Sequence, residues 1–76
     1  MSPKLPVISG AQLIRAIRKF GYEVVRQKGS HVRLRHSSDS RRTPITIPLH
    51  DEIASGTLRR ILRDSQVTVE QLIEVL

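Results

Sequence analysis

Tyr22-Glu-Val-Val-Arg-Gln-Lys28-Gly29-Ser30-His31-Val-Arg-Leu-Arg-His36 decides the fold of this chain. Two runs of β texture, Tyr22–Gln27 and His31–His36, flank Lys28-Gly29-Ser30. That insert has the length and the glycine of a hairpin turn. Parity sorts the second run: Val32 and Leu34 face one way, His31, Arg33 and Arg35 the other. The apolar side must be the core. His31, Arg33 and Arg35 therefore line an open face, at a repeat of roughly 7 Å.

On the N-terminal side, Ser9-Gly-Ala-Gln12 has capping-box spacing, and Leu13, Ile14, Ile17 and Phe20 recur at helical intervals before Gly21. The pattern predicts a helix over 9–20 with Arg15, Arg18 and Lys19 on its polar face. Residues 1–8 read as a loose leader, and 9–76 as a single domain. On the C-terminal side, Ser37–Thr43 reads as a polar loop. Pro44–Leu49 reads as a short strand with Ile45, Ile47 and Leu49 inward, and its two prolines of equal parity mark an edge. Ser55-Gly-Thr57 starts a second helix with Leu58, Ile61 and Leu62 inward and Arg59, Arg60 and Arg63 outward. Thr68–Gln71 repeats the capping-box spacing before a last helix with the stripe Val69, Leu72, Ile73 and Leu76. Apolar helical stripes at both ends and a sheet with one apolar face give an α+β fold. Its three-stranded antiparallel sheet carries the helices on one face and leaves the other open.

Composition narrows the chemistry. Seventy-six residues leave no room to enclose a cofactor of nucleotide size, so none is expected and any site lies open to water. The absence of Cys excludes disulfides, thiolate metal sites and cysteine nucleophiles. With no signal-peptide h-region and no apolar run near the length of a membrane span, a soluble cytoplasmic protein is expected. Thirteen basic side chains, mostly Arg, stand against seven acidic ones, for a net charge of +6. The charge is uneven: residues 1–50 carry +8 and residues 51–76 carry −2. This is the footprint of a nucleic-acid partner, with plain solubility as the alternative, and the bias to Arg favours phosphate.

His31 is the residue best placed for chemistry, at the mouth of the turn with Arg26, Lys28 and Arg33 close in sequence. Imidazole changes charge near neutral pH, and its neutral form accepts a proton. A polyanionic strand drawn to those cations would bring ribose 2′-hydroxyls within reach, and transesterification at the adjacent phosphate needs that hydroxyl deprotonated. The plainer alternative is a surface histidine on a hairpin. Ser30 is read as bracing the turn through its hydroxyl rather than as a nucleophile. No metal site is expected: His31 and His36 point opposite ways, and His50, Asp51 and Glu52 are too close in sequence to converge. Arg60 is within reach of Asp64 on a solvated helix face, and a loop over 36–42 whose Arg41 and Arg42 touch phosphate is an open alternative to a metal role there. A helix-turn-helix is disfavoured, because Glu70 and Glu74 on the last helix would repel DNA.

Gly21-Tyr22, the run Arg26-Gln-Lys28-Gly29-Ser30-His31, and Gly56-Thr-Leu-Arg-Arg-Ile-Leu-Arg63 together resemble the HicA toxin family, as does Ser9-Gly leading into an amphipathic helix. The resemblance covers about residues 9 to 74. It implies a fold like a double-stranded-RNA-binding domain, in the order α-β-β-β-α(-α). It implies an mRNA interferase, a metal-independent endoribonuclease using a single histidine, and by position that residue is His31. Gly29 and Ser30 would shape the turn that presents it; the cations expected from residue chemistry to hold RNA are Lys28, Arg33, Arg35 and Arg26. A HicB-type antitoxin would cover this face. On residue chemistry alone, two other readings stand beside it: a non-catalytic RNA-binding module, and a domain that docks an acidic protein.

Overall fold

The computed structural model of the chain describes residues 4–76; the first three residues of the expected leader lie outside them. The elements run α1 (Gly10–Arg18), β1 (Tyr22–Lys28), β2 (His31–His36), β3 (Ile45–Pro48), α2 (Ser55–Ser65) and α3 (Val69–Val75). All three strands are antiparallel, in spatial order β1-β2-β3, so the fold is α+β. Val32, Leu34, Ile45 and Ile47 from the sheet share one buried cluster with Leu13 and Ile17 of α1, Leu58, Ile61 and Leu62 of α2, and Leu72 of α3. The helices thus cover a single sheet face. No helix among the described residues is long and apolar enough to cross a membrane.

Local chemistry accounts for the helix limits. Ser9 and Thr68 both close full capping boxes with Gln12 and Gln71, satisfying amide donors that a helix start leaves orphaned. The helix expected over 9–20 ends at Arg18. Tighter bonds then carry the chain, Phe20 N–H to Ile17 O and Gly21 N–H to Arg18 O. Phe20 keeps its place in the periodicity because it still packs on the core. Beyond Ser65, Gln66 takes the left-handed conformation (φ 59°) and caps α2 without a glycine.

Three expectations change. Leu49 is 39% exposed rather than inward. Strand pairing ends at Pro48, and the chain bends toward α1 so that His50 O accepts from Gly10 N–H at 2.9 Å. In α3 the packed stripe is Val69, Leu72 and Val75, with Ile73 and Leu76 exposed. A helix of two turns that touches the core along one line buries an i, i+3 row and no more. Before α1, Ile8 is buried and its carbonyl accepts from Ile53 N–H at 2.9 Å, so this residue belongs to the core.

β1 contains the irregularity that matters most. Val24 pairs with Leu34 and Arg26 with Arg33, leaving Val25 as an extra residue in a β-bulge. Strict alternation from Tyr22, which is buried, would put Arg26 and Lys28 on the helix-covered side. The bulge shifts the register by one, and a one-residue shift exchanges faces. Arg26 and Lys28 therefore lie opposite Arg33 and His31, on the open side.

Candidate functional site

The open side of the hairpin forms a shallow groove of about 530 Å³ lined by Arg26, Lys28, Gly29, Ser30, His31, Arg33 and Thr46. Six of these are residues singled out from the sequence. Arg35 is not among them: it lies further along β2, against Glu23, and lines a separate depression over the 37–42 loop.

The turn is two residues long, since Lys28 and His31 already pair. Gly29 holds φ +59° at the first central position, where a type II′ hairpin requires glycine, and nothing within 4 Å would obstruct a side chain there. The backbone, not space, demands this glycine. Gln27 Nε2 braces the turn by donating to Gly29 O at 3.1 Å. The bracing expected from the Ser30 hydroxyl thus falls to Gln27, while Ser30 contributes its carbonyl, which accepts from Leu49 N–H at 2.7 Å and ties the turn to the end of β3.

Across the groove floor, Arg33 Nη1 donates to Thr46 Oγ1 at 3.0 Å. Leu49 N–H bonds to Ser30 O, so by alternation Arg33 and Thr46 form a non-hydrogen-bonded pair, the kind whose side chains approach most closely. Thr46 is the one groove residue the sequence reading did not name. Its signal was present: it sits between Ile45 and Ile47, and their inward parity places it on the open face.

His31 is exposed and stands beside Lys28, with Arg26 and Arg33 on neighbouring positions of the same face. The site is cationic throughout. Its geometry provides one imidazole able to exchange a proton, with guanidinium and ammonium groups positioned for an anion.

The remaining candidate residues make other contacts. His36 does not face the groove. Its Nδ1 accepts from Ser38 N–H (3.3 Å) and Asp39 N–H (3.0 Å), which makes Nε2 the donor to Phe20 O at 3.1 Å. The ring also meets Tyr22 edge-on, 5.3 Å between centroids. In the loop that follows, Arg42 is not a free phosphate contact: its Nη1 donates to Ser65 O at 2.9 Å, at the C-terminus of α2. Arg41 remains exposed and bonds Asp39 Oδ1 at 3.2 Å. The hydrogen bonds from Arg41 hold the Asp39 carboxyl below its ordinary value. Nor does Arg60 pair with Asp64, whose Oδ1 lies 3.5 Å from Arg63 Nε instead.

Fold and groove together define a small cationic α+β domain that presents a single histidine on an open sheet face. The model of the HicA toxin of bacterial toxin–antitoxin matches residues 10–67, and the chain belongs to the HicA toxin family. It is accordingly the toxin of such a pair, with an antitoxin as partner. No curated protein matches the chain.

Proposed function

We propose that this toxin is an endoribonuclease that cleaves mRNA in the cytoplasm with His31 as general base and without a metal. The observation that carries the reading is the groove itself, in which His31 is the only imidazole among Arg26, Lys28 and Arg33. Phosphates of a single RNA strand settle on the three cations, and His31 removes the proton from a ribose 2′-hydroxyl. The 2′-oxygen attacks the neighbouring phosphorus and the P–O5′ bond breaks. A 2′,3′-cyclic phosphate forms, and the departing 5′-oxygen takes a proton. Lys28, water and the reprotonated His31 are the three sources for that proton. A placed base contributes on the order of 10²–10⁴, and each donor to the developing charge about 10²–10³. The nucleophile comes from the substrate, so no step calls for a metal.

The antitoxin in this reading is a HicB-type protein that covers the groove, and the +8 carried by residues 1–50 calls for an acidic surface on it.

A non-catalytic RNA-binding module is the second reading. It is favoured by one observation: among the described residues, no carboxylate orients the His31 ring. Purified wild-type and His31→Ala protein, incubated with labelled RNA in excess EDTA, separate the two, with circular dichroism as the folding control. Fragments from wild type alone are expected. Cleavage by both proteins would remove His31 from the mechanism. Intact RNA that shifts in mobility with both would establish the binding module.

A further inference from the structure

The groove does not end at Arg33 and Thr46. Both residues also line a second hollow of about 200 Å³ that passes around the edge of β3 to α2, where Arg60 and Asp64 form its far wall. The two hollows share the Arg33–Thr46 hydrogen bond as a common sill. Asp64 is drawn to Arg63, so among the described residues Arg60 has no ion-pair partner.

Resting on the ribonuclease reading, we infer that this second hollow is the subsite for the nucleotide flanking the cleaved one, with Arg60 binding its phosphate. An RNA strand whose reacting ribose sits at His31 continues over Arg33 and rounds the β3 edge to Arg60. Arg33 stands between the two sites and meets the phosphate that joins them. The substrate class follows from the shape. A path that turns around a sheet edge accepts a flexible single strand and refuses a rigid duplex. A guanidinium suits the position because it binds two phosphate oxygens at once.

Arg59, next in sequence and exposed, lines neither hollow and supplies the control. Binding of a fluorescein-labelled, fully 2′-O-methylated single-stranded decamer, followed by anisotropy at several salt concentrations, tests the subsite apart from cleavage. Arg60→Ala is expected to weaken binding about tenfold, the size of one hydrogen bond to a charged group. It should also lower the slope of log affinity against log salt by about 0.7, while Arg59→Ala changes neither. On the unmodified decamer, Arg60→Ala should raise KM and leave kcat unchanged. Equal losses for Arg60→Ala and Arg59→Ala, or no loss for either, would overturn the subsite. Wild-type protein that binds the decamer in the expected Arg60-dependent way, yet leaves the unmodified RNA whole, would refute the nuclease and retain the subsite. If the wild type binds no RNA, both fall.

Discussion

His36 and Phe20 are joined by a hydrogen bond of 3.1 Å from imidazole Nε2 to the carbonyl oxygen, across the turn between α1 and β1. The same ring accepts two amide protons of the following loop through Nδ1, so one side chain pins the exit of α1 and the start of the 37–43 loop. His36→Phe keeps the ring against Tyr22 and deletes all three bonds. It should cost about 2–3 kcal/mol, because backbone donors and an acceptor lose their partner. His31→Phe, on the exposed groove, should stay within about 0.5 kcal/mol. Urea denaturation of the two variants measures the contrast, and equal effects would contradict it.

Thr46 offers a test of groove preorganisation. Thr46→Val preserves shape and β-branching but removes the acceptor that fixes Arg33. RNA affinity should fall a few-fold while the melting temperature moves little, since the lost bond is worth about 1 kcal/mol and lies partly in solvent. Anisotropy with a non-cleavable RNA and a thermal scan together decide it. Unchanged affinity would mean that Arg33 finds phosphate without help from Thr46.

Gly10 occupies a point where α1 meets the end of β3. A Cβ there would collide with the carbonyl oxygen of Pro48 and lie 2.9 Å from its carbonyl carbon. These are backbone atoms that cannot swing aside, so Gly10→Ala should destabilise by more than about 2 kcal/mol. Gly56, in the first turn of α2 with nothing within 4 Å, should respond in the opposite sense. Gly56→Ala is expected to stabilise by about 0.5 kcal/mol. Denaturation midpoints of the pair check both signs.

Asp39 gives the 37–43 loop an acid sensitivity. Its folded carboxyl titrates below the ordinary value of 3.8, chiefly because Arg41 bonds to it through side chain and backbone. A depressed carboxyl stabilises above its unfolded value, and the contribution disappears as pH falls through the lower folded value. Protection of the Arg41 amide, taken as its exchange rate relative to the intrinsic rate at the same pH, should therefore decline only as pH drops below about 3.8. In Asp39→Asn that acid step should be absent. A step that survives the substitution would assign it to another group.

Much of this arrangement is legible from residue order. The capping boxes at Ser9 and Thr68, the inward parity of Val32 and Leu34, and the edge position of the proline-bracketed β3 all follow from local rules, and the structure has them. What sequence could not supply depends on contacts at a distance. The bulge at Val25 has no turn residue to mark it, only two adjacent valines, yet it brings Arg26 and Lys28 to the His31 side. Arg42 looked like any exposed cation until α2 presented the Ser65 carbonyl to it. His36 could be placed off the groove by parity, and its bonds to the Ser38 and Asp39 amides are local, whereas its third partner, the Phe20 carbonyl, comes from chain 16 residues away. The i, i+3 row of α3 was hidden because seven residues are compatible with more than one buried stripe.

Leu72 has no exposed surface, yet it lies beyond residues 10–67, the stretch matched by the family model. Ile8, buried just ahead of that stretch, stands in the same relation to it. The stretch matched by the family model and the stretch that furnishes the buried core are thus different lengths of chain. Cutting to the first would strip a leucine worth about 1.5–3 kcal/mol from a domain of this size, together with the isoleucine at the other end.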